Sequence, residues 1–376
     1  MITYDSAIIG GGVAGATAAF HLANLGYKII VLEKNNSPTI KPCAGGVASS
    51  VNKYFPFDLK DSVESVINRV DFSWNFSDKV IAKLSGSSPF WIVKREIFDE
   101  FIIDKAANQG ANIRRSSNVI SIKKIKNSWG ISCDDNFSLE TKSIIIADGS
   151  NSNWPQHFGL GPRKPRFAQT LSIRINGIEN VSSNTTQFEF GLIERGFAWA
   201  FPLKDGINIG VGSFIGGGNL KEKVDIDKLI YGFGLKYNYS TPAFKYLRIW
   251  NGNKRLHGDG ILVVGDAASL CDPFLAEGIR PSLLSGYYAS KAIHNWLKGT
   301  SNDLKLYSEI IEDKWGKSMQ WGKNIAQVFY RFPKTGYNLG IKRKTAPDRI
   351  AKILSGEMSY EDIAIRVIKR LLLNQK

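Results

Sequence analysis

Residues 7–34 read AIIGGGVAGATAAFHLANLGYKIIVLEK. The stretch "YDSAIIG" is a short buried strand and "GGVAGATAAFHLANLG" a glycine turn feeding a small-residue helix. "YKIIVLEK" is a second buried strand, so the whole predicts a βαβ unit of a doubly wound sheet. Gly10-x-Gly12-x-x-Gly15 falls at the strand–helix junction, the context that makes this pattern informative. The first glycine permits the tight turn, the second admits a pyrophosphate to the backbone, and the third lets helix and strand pack closely. Glu33 ends the second strand, where a carboxylate accepts both ribose hydroxyls and disfavours a 2′-phosphate. FAD or NAD is expected, not NADP. Ala14 in the turn and Lys34 beside Glu33 join the candidate cofactor-binding residues.

Three later stretches decide for FAD. "VKREIFDEF" carries Arg95 and Asp99 on a helix, and "IIIADGS" ends a strand at Asp148-Gly149. "LVVGDAASLCDPFLAEGI" carries Asp266, Pro273 and Glu277-Gly278-Ile279. A carboxylate after a strand, as at Asp266, can bond ribityl hydroxyls. The helix start at Gly278-Ile279 presents N–H groups and a positive dipole end to the flavin N1–O2 edge. Val119 completes the candidate cofactor set.

Between strands the chain alternates. Residues 70–93 and 167–216 carry aromatics at period two and predict antiparallel strands, with a hairpin turning at Lys204-Asp205-Gly206. The expected fold is α/β: a Rossmann-like FAD-binding domain (1–69, 91–155 and 255–300), an inserted antiparallel β-sheet substrate domain (70–90 and 156–254), and a helical C-terminal region (301–376).

With these motifs in place, the chain resembles the FAD-dependent oxidoreductases of the hydroxybenzoate-hydroxylase fold, and within them the geranylgeranyl reductase family. The marks are "KPCAGGV" (41–47), "GFAWAFP" (196–202) and "GDAASLCDPFLAEGI" (265–279). The resemblance implies a reductase saturating C=C bonds of a prenyl chain on a small molecule or lipid. It puts Gly10, Gly12, Gly15, Glu33, Arg95 and Asp266 on FAD-binding positions. It also puts Cys43, followed by Ala44 and Gly45, beside the flavin ring, where small residues let backbone approach. The thiol there is a candidate for shaping or protonating the alkene site; packing alone is the plainer role. Phe197, Trp199 and Phe201 match the family's Tyr-x-Trp-x-Phe-Pro element and would line a prenyl tunnel or form an ordinary packed sheet face. Phe197 stands where tyrosine is usual, Glu194 where proline is, and Ala44 where glycine is.

The 376 residues, 43% hydrophobic and 22% charged, are those of a globular protein with no apolar run long enough to span a membrane. The N-terminus enters a strand at once, which argues for the cytoplasm. Cys43, Cys133 and Cys271 form no CxxC pair, and the four histidines no HExxH spacing, so no metal site is expected. A net charge of +15 is dispersed and lacks a nucleic-acid motif, so nucleic acid is not an expected partner. It suits an acidic lipid face, an acidic redox partner or a phosphate-bearing substrate. The C-terminal "EDIAIRVIKRLLLNQK" sets Arg366, Lys369 and Arg370 among apolar residues at helical spacing. That pattern fits peripheral contact with a membrane surface or, alternatively, a helix that closes a domain.

The expected chemistry is hydride transfer from reduced flavin N5 to one alkene carbon and a proton to the other. With no second dinucleotide fingerprint, the reductant is NADPH bound transiently or a ferredoxin. Two alternatives stay open: a flavin monooxygenase or halogenase on the same fold, and a flavin-bound protein without turnover.

Overall fold

The computed structural model describes residues 2–84, 89–178, 182–215, 220, 224–236, 239–252 and 255–373, with side chains through residue 366. Its first sheet is built on Ile2–Ile9, which pairs in parallel with Ile29–Leu32 on one side and Ser138–Ile146 on the other. Asn112–Arg114 extends it beyond Ile29–Leu32. Ser138–Ile146 divides its partners: Ser138–Thr141 pairs antiparallel with Ser128–Cys133, and Ile144–Ile146 pairs parallel with Ile261–Val263. Val119–Ile125 closes that edge. The run Ile-Ile-Val-Leu at 29–32 is buried throughout, as expected of a strand covered on both faces.

Helices Val13–Asn24 and Arg95–Asn108 pack against this sheet, and Ile279–Leu297 packs on Val13–Asn24. A Cβ on Gly286 would collide with the Ala14 carbonyl, so glycine there brings two helices to backbone contact.

The second sheet has seven strands in the order Ala243–Ile249, Arg166–Asn176, Gly206–Ser213, Gly196–Leu203, Thr185–Phe190, Arg69–Trp74 and Ser77–Lys83. Neighbours run antiparallel except Thr185–Phe190 with Arg69–Trp74. The predicted hairpin is present, with Lys204-Asp205 as a two-residue connection between the paired Leu203 and Gly206. All eight residues of Gly196–Leu203 are buried. Their alternation is large against small: Phe197, Trp199 and Phe201 enter the main core, while Ala198 and Ala200 enter a second core with Leu229 and Ile230 of helix Ile226–Gly232. A small third sheet sets Phe90–Ile92 between Gly46–Ala48 and Ser65–Ile67.

Beyond residue 300 the chain is helical: Lys305–Ile311 passes through a π-type turn at Glu312–Gly316 into Lys317–Arg331, and three further helices reach Leu373. These helices clamp the loop that follows Ile261–Val263. Tyr307 Oη donates to the Val263 carbonyl at 2.8 Å, Trp315 Nε1 to Leu270 at 2.8 Å and Tyr330 Oη to Phe274 at 2.7 Å. Tyr360 Oη donates to Asp272 Oδ2 at 2.6 Å. Each indole or phenol thus satisfies its polar atom on the loop while its ring fills the core. Among the described residues no helix is long and apolar enough to cross a membrane. The side chains of Lys369 and Arg370, on which the membrane-surface expectation partly rests, lie outside the described residues.

Tyr360→Phe removes the donor to a fully buried carboxylate and is expected to lower unfolding stability by about 1–2 kcal/mol, read by urea denaturation. A change within error would mean the clamp acts through ring packing alone.

Candidate active site

The glycine turn opens a cavity of about 590 Å³ at the ends of the first sheet's strands. Gly10 holds φ +101°, and a Cβ there would strike the Ala147 carbonyl. A Cβ on Gly15 would strike the Gly10 carbonyl, so this glycine packs the turn and does not line the cavity. Gly10, Gly12, Ala14, Glu33, Lys34, Arg95, Val119, Asp148 and Asp266 all line it. Glu33 is pre-set: Oε2 accepts the Gly11 N–H at 2.8 Å, and Oε1 accepts the Asn35 N–H at 2.9 Å. Asp148 Oδ1 is buried without a partner, and burial pushes its carboxyl above the usual carboxylate range. An orphaned acceptor in a groove wall marks a place for a donor from outside the chain.

Arg95 stands where this groove narrows. Its Nε and Nη2 donate to Asp99 Oδ1 and Oδ2 at 2.7 and 2.9 Å, and Lys41 Nζ reaches Asp99 Oδ2 at 2.6 Å. Burial opposes ionisation of Asp99, but the two cations prevail and hold its carboxyl below the ordinary value. A paired Arg95 is therefore fixed in place with a planar cation facing the groove.

A second cavity of about 120 Å³ continues from the first, and the two share Val13, Pro42, Arg95, Lys245, Asp266 and Ser282 as walls. Cys43, Ala44 and Gly45 form one side, Gly278 and Ile279 another, and Phe188, Phe197, Trp199 and Phe201 an aromatic third. Phe188 meets Phe197 and Phe201 edge-on at centroid distances of 5.4 and 5.2 Å, so the wall is itself core. Phe197, Trp199 and Phe201 thus line the cavity and pack into the core at once. Gly45 holds φ +81° and donates its N–H to Cys43 Sγ at 3.4 Å. Cys271 is fully buried in this wall, and burial pushes its thiol well above the ordinary value. Pro273 is buried and lines neither cavity.

Several contributors carry no motif. Asn208 joins two walls: its Oδ1 accepts Trp199 Nε1–H at 2.9 Å and its Nδ2 donates to the Cys43 carbonyl at 3.2 Å. Lys245 sits 3.5 Å from Asp266 at the junction of the cavities, and Arg248 on the same strand is buried. Sequence spacing offers no signal for these three. Glu277 and Arg280 stand at i,i+3 and pair at 2.6 Å, a spacing visible in the sequence although their burial is not.

Residues 4–175 match the family model described as pyridine nucleotide-disulphide oxidoreductase. Over 340 residues the chain is 26% identical to the digeranylgeranylglycerophospholipid reductase of Methanocaldococcus jannaschii, covering 83% of each. The solved structure of a geranylgeranyl bacteriochlorophyll reductase-like protein from Thermoplasma acidophilum matches with a TM-score of 0.80 at 22% identity, over 96% of this chain and 93% of that one. A flavin-dependent brominase matches with a TM-score of 0.74 at 18% identity over 100% of both chains. Those two structures share the fold. The likeness to the reductase runs along most of the chain, on an architecture shared with a flavin-dependent enzyme.

Proposed function

We propose that the protein saturates C=C bonds of a prenyl chain carried by a lipid, using bound FAD. The observation that carries this reading is the aromatic cavity opening directly off the dinucleotide groove, with Phe197, Trp199 and Phe201 on one side and Cys43 on the other. An apolar slot of that kind suits an isoprenoid unit. The digeranylgeranylglycerophospholipid reductase likeness points to the same substrate class.

The groove fits FAD by its own chemistry: an orphaned Asp148 oxygen, glycines where a Cβ would clash, and a paired Arg95 cation. In this reading the Gly10, Gly12 and Ala14 backbone, opening helix Val13–Asn24, receives the pyrophosphate. Gly15 keeps that turn packed. Glu33, flanked by Lys34, accepts the ribose hydroxyls, and Val119 and Asp148 line the same end. Arg95 and Asp266 lie at the passage between cavities, where the ribityl chain would cross. Ala44, Gly45, Gly278 and Ile279 border the ring, and Pro273 stiffens the loop behind it. Bound and reduced, FAD supplies the electron pair as hydride.

An isolated alkene is a poor hydride acceptor, so placement in a dry pocket must supply much of the rate. Phe188, Phe197, Trp199 and Phe201 exclude water from that pocket, and Cys43 bounds the alkene site. The electrons come from NADPH or an acidic ferredoxin.

Asp266→Ala removes a carboxylate at the junction of the two cavities and is expected to weaken FAD binding about 10- to 100-fold, the effect of losing one or two good hydrogen bonds. Flavin absorbance of the purified variant reads it, with circular dichroism checking the fold; undiminished flavin would remove Asp266 from the site. For the reaction, the chemically reduced protein is mixed anaerobically with a geranylgeranylated lipid. Flavin reoxidation, with mass spectrometry showing a gain of H₂ per double bond, is expected. Flavin that stays reduced until air enters would favour oxygen-dependent chemistry, as in a halogenase or monooxygenase. Supplying NADPH or ferredoxin in turn then identifies the donor.

A further inference from the structure

The alkene carbon that does not receive hydride must receive a proton, and the aromatic cavity contains few groups able to give one. Its lining carboxyls are Asp266 and Glu277, its thiols Cys43 and Cys271. Asp266 faces Lys245. Cys43 Sγ accepts the Gly45 N–H, and Cys271 holds its proton tightly because burial penalises its thiolate. Glu277 differs from all of these. Its side chain is only 9% exposed, Oε2 takes Arg280 Nη2–H at 2.6 Å, and Oε1 is buried with no partner. A half-satisfied buried carboxylate is costly, whereas a protonated one keeps its Arg280 bond and leaves an O–H beside the cavity.

Resting on the prenyl-reduction reading, we infer that Glu277 is the proton donor to the alkene, with Arg280 as its positioning residue. The step balances: the alkene π pair forms a C–H bond with the proton on Glu277 Oε1, and the O–H bond breaks, leaving its electrons on the carboxylate. The other carbon takes hydride from reduced FAD, which becomes oxidised FAD. Arg280, held over the Trp315 ring at 5.0 Å, stabilises the carboxylate until solvent returns the proton.

The surroundings suit a group that changes charge near neutrality. Burial pushes the Glu277 carboxyl up to about 7; Arg280 opposes this and Asp272 adds to it. Tyr54 and Tyr360, from the segments packed over it, face it as neutral phenols, with burial raising both hydroxyls. An acid poised there is protonated below neutrality and still able to release its proton.

The test uses FAD-loaded protein, reduced anaerobically and mixed with geranylgeranylated lipid at a series of pH values. Wild type should reoxidise fastest below pH 7 and slow above it as Glu277 loses its proton. Glu277→Gln should keep its flavin, reoxidise about 100-fold more slowly, the lower end of what a general acid contributes, and lose the alkaline decline. Arg280→Gln removes the opposing cation, so its decline should move to higher pH; this variant carries the test if Glu277→Gln does not fold. Independently of turnover, infrared spectra of the oxidised holoprotein should contain a protonated-carboxyl band that fades as pH rises through about 7. That band should be missing from Glu277→Gln. A Glu277→Gln enzyme within threefold of wild type with the same pH profile, or an unmoved decline in Arg280→Gln, overturns the assignment and leaves prenyl reduction standing. A wild type that never reoxidises with the lipid overturns both.

Discussion

Four side chains from the C-terminal helices hold the segment between Val263 and Gly278, and much of the remaining architecture is arranged around that restraint. The segment is an improbable thing to bury. It contains Ser269 and Ala276, non-glycine residues at φ +57° and +58°, and Asp272, a carboxyl driven above its ordinary value by burial. Asp272 is tolerable because its lone pairs are used: the Phe274 and Leu275 N–H groups at 2.6 and 3.0 Å, and Tyr360 at 2.6 Å. Left-handed residues and buried acids persist where surroundings over-determine them. Here the surroundings are helices from the far end of the chain. The C-terminal region is therefore part of the site's foundation, since the loop it clamps runs directly into the Glu277-Gly278 wall of the aromatic cavity.

The opposite wall is made rigid by different means. Gly196–Leu203 is buried on both faces, so its aromatics can neither swing to solvent nor slip by one residue without driving Phe197, Trp199 and Phe201 into the alanine-lined core. Gly210 leaves room for the Trp199 indole, which a Cβ there would overlap. Asn208 then ties that indole to the Cys43 carbonyl, so the aromatic face and the small-residue segment form a single hydrogen-bonded unit. A pocket bounded by such walls holds its shape without a ligand, which catalysis by placement requires.

What the sequence made readable follows from how local each feature is. The glycine turn, its strands and Glu33 fall within about one βαβ unit, and each conformational demand is met by a residue type that advertises it. Arg95 and Asp99 are likewise one helical turn apart and visibly a pair. Lys41, which completes that cluster, arrives from another segment and gave no sign. The Phe197–Trp199–Phe201 face was legible as a period-two pattern, but an alternation of large with small looks the same whether one face or both are buried. Tertiary placement settles it. Asn208, Lys245 and the Tyr360–Asp272 bond were invisible because each depends on segments far apart in sequence, the last pair spanning 88 residues.

Charge distribution links the groove to the protein's surplus of basic residues. Along the cavities Arg95 is held protonated against its burial by Asp99, whose carboxylate also bonds Lys41. Two of the acids behave oppositely. Asp148 and Glu277 are both pushed up by burial, Glu277 to about 7, so burial works against negative charge on these walls. The result is a groove biased toward positive charge without a continuous basic patch. An anionic dinucleotide entering it meets amide N–H groups, a helix N-terminus and fixed cations. In the slot beyond, the charged walls lie at the shared passage, and Glu277 is the one acid on the far side. Polarity thus changes sharply over the short passage at Arg95, Lys245 and Asp266. A molecule with a charged end and a greasy end, or a charged cofactor meeting a greasy substrate, is what such a boundary sorts.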